Sequence, residues 1–254
     1  MNTISIKNKV IGEGTPKIII PLMGKTEEQL FQEFNEIKTL APDIIEWRVD
    51  VYEHVEDLEA VKQMLSELRR LATDSLLLFT FRSHKEGGNK EISDRNYVEL
   101  LQTVIRTKNI DLIDIELFTN DSAVKELVAL AEENGIFVVM SNHDFHKTPK
   151  KEEIIHRLRK MQELGAHIPK IAVMPNSVQD VITLLDATNT MITKYANRPI
   201  ITMSMAEIGL ISRLAGEVFG SACTFGAGKE ASAPGQIPVS ELRNVLEIIN
   251  KNIR

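Results

Sequence analysis

Short apolar runs alternate along the chain with longer stretches in which apolar residues recur every three or four positions. The runs are "KIIIPL" (17–22), "IIEWRVD" (44–50), "SLLLFTFR" (75–82), "LIDIELF" (112–118), "IFVVMSNH" (136–143), "IPKIAVMP" (168–175), "PIITMSM" (199–205) and "SACTFGAG" (221–228). Each is bounded by Gly, Pro, Asn or Asp, which marks it as a buried strand. Between them the spacing is helical: over 55–72, Leu58, Val61, Leu65 and Leu68 fall on one face. A last helix is expected from about Pro238 to Asn252. Strand and helix alternating eight times predict an α/β chain folded as a (β/α)8 TIM barrel, a single domain over residues 1–254. The doubly wound open sheet competes, but "PLMGKTEE" has one glycine at the first strand-to-helix turn, where that fold carries a phosphate fingerprint. The opening segment "TISIKNKVIGEG" alternates and turns at "KN", so a short N-terminal hairpin is expected to close the barrel bottom.

Successive strand residues face opposite sides, so parity separates barrel interior from exterior. Glu46, Arg48 and Asp50 share one face, while Ile45, Trp47 and Val49 share the other and can pack on helices. The same parity groups Thr80 with Arg82, Asp114 with Glu116, Ser141 with His143, and Lys170 with Ala172 and Met174. Barrel interiors are usually filled by branched apolar residues, so a charged interior must either pair its groups internally or serve chemistry. An ion-pair layer that only holds strands in register is one reading. Charges gathered near the C-terminal strand ends, where barrel active sites lie, favour a functional one.

Lys170 sharpens the question. If its strand starts one residue later, the ammonium sits in solvent at the lower rim. If it points inward among Arg48 and Arg82, it loses its proton easily and becomes an amine that condenses with ketones. The iminium so formed makes a carbanion accessible at the next carbon, and that requires a separate base. His143, at the end of the preceding strand, is the candidate, and Glu86 on the glycine-bearing stretch "RSHKEGGNKE" can orient its other nitrogen. His54, His156 and His167 read as solvated helix or loop residues. His143 and His146 in "NHDFH" have poor spacing for a metal and no evident third ligand, so no metal site is expected.

Composition narrows the function class. With 254 residues, 43% hydrophobic and 26% charged, the chain has ample material for a core, and its net charge of -6 argues against a nucleic-acid binder. No apolar run approaches a membrane span, no secretory leader is visible, and the single Cys223 cannot form an internal disulfide, so a cytoplasmic protein with a small-molecule partner is expected. The stretch "GAGKEA" fits a dinucleotide pattern formally, yet Glu230 follows Lys229 where a phosphate loop has Ser or Thr, and Cys223 stands where it has glycine. "KEASAPGQIP" combines small residues, proline and glycine and reads as a flexible lid, from which Ser232 and Gln236 can reach polar substrate groups. A lysine-dependent aldolase acting on sugar phosphates, with "FGAGKE" as the phosphate cradle, and a non-catalytic barrel that binds a carboxylated sugar-like ligand both stay open.

The motifs "EWRVD", "TFRS" followed by "KEGG", "MSNHDFHKTP", "IPKIAVMP", "ISRLAGEVFGSACTFG" and "SAPGQI" together resemble type I 3-dehydroquinate dehydratase over the full length. The resemblance implies a shikimate-pathway lyase that dehydrates 3-dehydroquinate to 3-dehydroshikimate without metal or cofactor, usually as a homodimer. It implies that Lys170 is the Schiff-base lysine, His143 the general acid and base, and Glu86 its supporting carboxylate. Glu46, Arg48, Arg82, Arg213, Ser232 and Gln236 are similar to the substrate-binding set, with Arg213 suited to a carboxylate through its guanidinium fork. Pro21 stands where the resemblance implies a serine, a departure that bears on one substrate hydrogen bond and on no catalytic group.

Overall fold

The computed structural model describes residues 3–228 and 233–253. An antiparallel hairpin, β1 (Ile4–Ile6) and β2 (Lys9–Ile11), precedes eight parallel strands: β3 (Lys17–Leu22), β4 (Ile44–Arg48), β5 (Leu76–Thr80), β6 (Leu112–Glu116), β7 (Phe137–Asp144), β8 (Ile168–Val173), β9 (Ile201–Ser204) and β10 (Cys223–Phe225). The strands lie in the order β10-β3-β4-β5-β6-β7-β8-β9. Ala222 N–H donates to the Ile200 carbonyl at 2.8 Å and Thr202 N–H to Ser221 Oγ at 3.0 Å, which brings the two ends of the sheet together and closes the barrel. The expected (β/α)8 architecture and its hairpin are both present.

Crossover helices α1 (Glu27–Thr39), α2 (Leu58–Leu71), α3 (Asp94–Thr107), α4 (Asp121–Glu133), α5 (Lys151–Glu163) and α6 (Val178–Lys194) surround the strands, and α9 (Val239–Asn252) ends the chain. Several start where a side chain accepts from the first free backbone N–H groups: Thr26, Asp57, Ser93, Asn120, and Ser177 in a reciprocal capping box. The seventh crossover is not one long helix. It breaks into α7 (Leu210–Leu214) and α8 (Gly216–Phe219), and Gly216 lies so close to the Ser221 carbonyl that a Cβ there would stand 2.9 Å from it.

Two apolar clusters result from strand parity. Outward residues such as Trp47, Phe79, Ile113 and Ile171 pack on the helices. Inward residues Ile19, Ile44, Leu76, Leu112, Val139, Ile168 and Ile201 fill the lower barrel, and Ile6 and Ile11 of the hairpin pack against them from below. The apolar plug leaves the upper interior to polar groups. Pro21 follows Ile19 on the inward face of β3, opposite Glu46 in register, and offers no donor. Among the described residues no helix is long and apolar enough to cross a membrane.

Candidate active site

Lys170 points into the barrel and is 3% exposed. Its Nζ stands 3.8 Å from Glu46 Oε1 and 3.7 Å from Asp114 Oδ2, and 4.5 Å above the ring centre of Phe225. Both carboxylates favour the ammonium, yet burial outweighs them and, helped by Arg82 and Arg48, holds the Lys170 pKa below the usual lysine value. The lower-rim alternative is excluded: β8 begins at Ile168, and Lys170 pairs in register with Ser141 of β7 on one side and Ile201 of β9 on the other.

His143 lies one inward step above Ser141, with Ala172 opposite it on β8. Its Nδ1 and its backbone N–H both meet Glu86 Oε2, at 2.9 and 3.0 Å. When Glu86 is ionised it can only accept, so Nδ1 carries the proton and Nε2 is left as the base. Burial, reinforced by Arg82, Lys170 and Arg48, holds the His143 pKa well below the usual imidazole value. Glu86 is pushed up to about 8, first by burial and then by the charge of Glu116, while Arg82 and Asn142 pull the other way.

The glycines of "KEGG" explain how Glu86 reaches this position. Gly87 adopts φ 84°, and a Cβ there would collide with the Phe145 ring at 2.3 Å. Gly88 lies against the Arg82 carbonyl, where a Cβ would stand 1.8 Å from the oxygen.

Beneath the dyad runs a buried charged layer. Arg82 donates to Glu116 Oε1 at 2.8 Å, Asp114 Oδ2 at 2.9 Å and Ser141 Oγ at 2.8 Å, and Ser141 donates to Asp114 Oδ1 at 2.6 Å. Glu46 accepts from Thr80 Oγ1 at 2.9 Å. The register reading therefore holds in part: Arg82 is internally paired, although it also lines the cavity above.

Asp50 departs from strand parity, because β4 gives way to a 3-10 turn over Val49–Val51. From that turn Asp50 grips the Nε and Nη2 of Arg48 at 2.8 and 2.9 Å, and accepts from the backbone of Arg82 and of Asn89 at 3.2 Å each. It thus ties Arg48 to the loop that carries Glu86. His167 also differs from the solvated residue expected: half-buried, its Nδ1 accepts from Val138 N–H at 3.0 Å.

A cavity of about 90 Å³ is lined by Lys170, His143, Glu86, Glu46, Arg48, Arg82, Arg213 and Gln236, with Phe145, Met203, Met205, Phe225 and Ala233 supplying apolar walls. Met203 and Met205 share the inward parity of Ile201, so alternation in "ITMSM" could have revealed them. A wider outer cleft of about 580 Å³ is lined by Glu86 and His143 but by none of Lys170, Arg48 or Arg213, which meet the dyad in the smaller cavity. Ser232 lies outside the described residues, as does the first part of the expected lid.

Arg213 is 2% exposed, and among the described residues no carboxylate pairs with it. Its Nη2 donates to the Pro234 carbonyl at 3.0 Å, its Nε has no partner, and burial lowers its pKa to about 10. A buried guanidinium in this state has the charge and the spare N–H to bind an anion. The two described glycines of "FGAGKE", by contrast, lie against apolar side chains. A Cβ on Gly226 would meet Val239 Cγ2 at 2.6 Å, and one on Gly228 would meet Ile37 and Ile20.

A model of the type I 3-dehydroquinase family matches residues 18–253. The chain belongs to that family. It is 69% identical over 253 residues to the 3-dehydroquinate dehydratase of Bacillus velezensis and 68% identical over 254 residues to that of Bacillus subtilis, covering all of each. Among solved structures, type I 3-dehydroquinate dehydratase from Clostridium difficile, with covalently modified comenic acid, superposes with a TM-score of 0.96 at 54% identity, covering 99% of both chains. The enzyme from Geobacillus kaustophilus superposes at 0.97 with 37% identity, covering all of this chain and 98% of that one. A type I 3-dehydroquinase is a hydro-lyase of the shikimate pathway, and every described motif residue discussed above lies within the span that the family model matches.

Proposed function

We propose that Lys170, His143 and Glu86 carry the dehydration of 3-dehydroquinate to 3-dehydroshikimate in this chain, with Glu46, Arg48, Arg82, Arg213, Gln236 and Ser232 holding the substrate. One observation carries the reading: the Lys170 amine and the His143 imidazole line the same cavity as Arg213, a guanidinium with which no carboxylate pairs among the described residues. Lys170 Nζ adds to the ketone carbon, the ketone oxygen leaves as water with His143 relaying protons, and an iminium forms. His143 Nε2 then takes a proton from the adjacent carbon, and the electron pair moves into an enamine. That pair expels the hydroxyl one carbon further on, which departs as water with the proton His143 has just received. Water adds to the conjugated iminium, releasing the enone and restoring the amine. The sum is loss of one water, with no oxidant or reductant involved.

Arg213 takes the substrate carboxylate, Arg48 and Glu46 face its hydroxyls, and Arg82, with both Nη atoms bonded to Glu116, Ser141 and Asp114, acts chiefly through charge. Borohydride added during turnover should reduce the iminium and fix the substrate skeleton on the peptide bearing Lys170. Lys170→Ala should abolish both the adduct and the rise in enone absorbance. An adduct on another lysine, or a Lys170→Ala variant that still traps at full stoichiometry, would sink the assignment. The reading extends to a cytoplasmic homodimer, which sedimentation of the full chain tests as to assembly.

A further inference from the structure

The geometry points to Asn142 as a positioning residue for the Glu86–His143 pair, held in its working orientation by Arg157. Its role follows from the side of β7 on which it lies. Ser141 and His143 face the barrel interior, so Asn142 faces outward, where it is 2% exposed and does not line the cavity around Lys170. There its Nδ2 donates to Glu86 Oε1 at 3.1 Å, while Arg157 Nη1 donates to its Oδ1 at 2.9 Å. A guanidinium can only donate, so the amide oxygen must face Arg157 and the amide N–H groups must face Glu86. Arg157 is itself fixed on α5: its Nε donates to Glu153 Oε1 at 2.7 Å and its guanidinium lies 5.4 Å from the Phe118 ring centre.

Glu86 Oε1 therefore receives an N–H that favours the ionised carboxylate, and Oε2 receives two from His143. This matters because Glu86 sits among competing charges. Arg82 from the end of β5 approaches Oε2 at 3.5 Å; Glu116 and Asp114 on β6 oppose its charge; His84 and Lys85 flank it on its own turn; Arg48, Glu46 and Lys170 face the pair from β4 and β8. Burial already drives its pKa upward. A protonated Glu86 could donate to His143 Nδ1, reversing the tautomer and leaving Nε2 protonated. Asn142 thus holds the pair in the form that the proposed mechanism requires, and the inference rests on that reading.

The test is the pH profile of kcat/KM for Asn142→Ala, Arg157→Met and the double variant. Loss of one hydrogen bond to a carboxylate should move the acid limb of Asn142→Ala upward by about one to two pH units. KM above the limb should stay within about twofold, since Asn142 does not line the cavity. Arg157→Met, which frees the amide to turn over, should move the limb in the same direction by less, and the double variant should match Asn142→Ala because Arg157 acts through Asn142. A folded Asn142→Ala enzyme with its limb in place, or with the loss confined to KM, overturns the inference. If Asn142→Ala does not fold, an unmoved limb in Arg157→Met overturns it alone. Borohydride trapping of the wild type in the same series separates this result from failure at Lys170: an intact Lys170 adduct with an unmoved limb refutes only the role of Asn142.

Discussion

Arg213→Met should make the protein more stable and much less active. Burial has brought the Arg213 pKa down to about 10, and the corresponding cost of keeping its charge in the folded state is about 3 kcal/mol. The folded value lies below the unfolded one, so the cost is present in full below about pH 10 and fades only above it, as the folded state releases its proton first. A denaturation series at pH 7 sees all of it. Methionine fills a similar volume without the charge. Losing the hydrogen bond to the Pro234 carbonyl returns about 1 kcal/mol, for a net gain of about 2 kcal/mol. In a chain of 254 residues that raises Tm by about 4 to 8 °C.

Activity should move the other way. A guanidinium fork on a carboxylate makes two charge-assisted bonds, so kcat/KM should fall by at least about 100-fold, with most of the loss in KM. Urea denaturation at pH 7 measures the first effect and growth of enone absorbance measures the second. A small carboxylate such as the product should raise Tm of the wild type and leave that of Arg213→Met unchanged. The assignment of Arg213 as anion receptor fails if the variant is destabilised, or if kcat/KM stays within tenfold of the wild type.

Two further perturbations address the parts that hold the site in place. In Asp50→Asn, Arg48 loses its bidentate partner, so KM should rise about tenfold or more. For Asp50 burial acts to raise the pKa, but the Arg48 fork and the backbone N–H groups of Asn89 and Arg82 outweigh it and hold it below the usual carboxylate value. Its stabilisation is therefore present above the unfolded carboxylate pKa and lost as pH falls through the folded one, so wild type and variant should differ in urea at pH 7 and converge in strong acid. Gly88→Ala places a methyl group into the Arg82 carbonyl and must displace the loop bearing Glu86; kcat should fall by about 100-fold while the far-UV spectrum stays native, and a near-normal kcat would show that the loop yields without moving the carboxylate.

Strand alternation carried most of the site into the sequence reading. Lys170, Glu46, Asp114 and Ser141 are inward residues in continuous strands, where parity holds from one end to the other. It failed at Asp50, where the chain leaves β4 for a 3-10 turn and the two-residue period ends. The aromatic walls were harder to read, because Phe145 and Phe225 look like ordinary core until the cavity beside them is known. Asn142 gave no signal at all. Its partners come from a loop 56 residues upstream and a helix 15 residues downstream, and no local pattern encodes that meeting. The seventh crossover departs from the regular rhythm as two short helices, with Gly216 and Gly220 bounding the second.

The same departures from a regular barrel account for the lowered pKa of the Lys170 amine. Ordinary layers of Val and Ile would have left Lys170 buried without counter-charge, an arrangement costly to the fold. Carboxylates bonded to it at hydrogen-bond distance would have kept it an ammonium. The structure takes a course between these: Glu46 and Asp114 stand near 3.8 Å, close enough to offset burial, while Asp114 gives its shorter contacts to Arg82 and Ser141. Arg82 therefore has two effects at once. It neutralises the carboxylate that would otherwise hold the lysine proton, and its own charge repels that proton. Replacing Arg82 by a neutral residue would remove both effects in the same direction, raising the amine pKa and moving the onset of imine formation to higher pH.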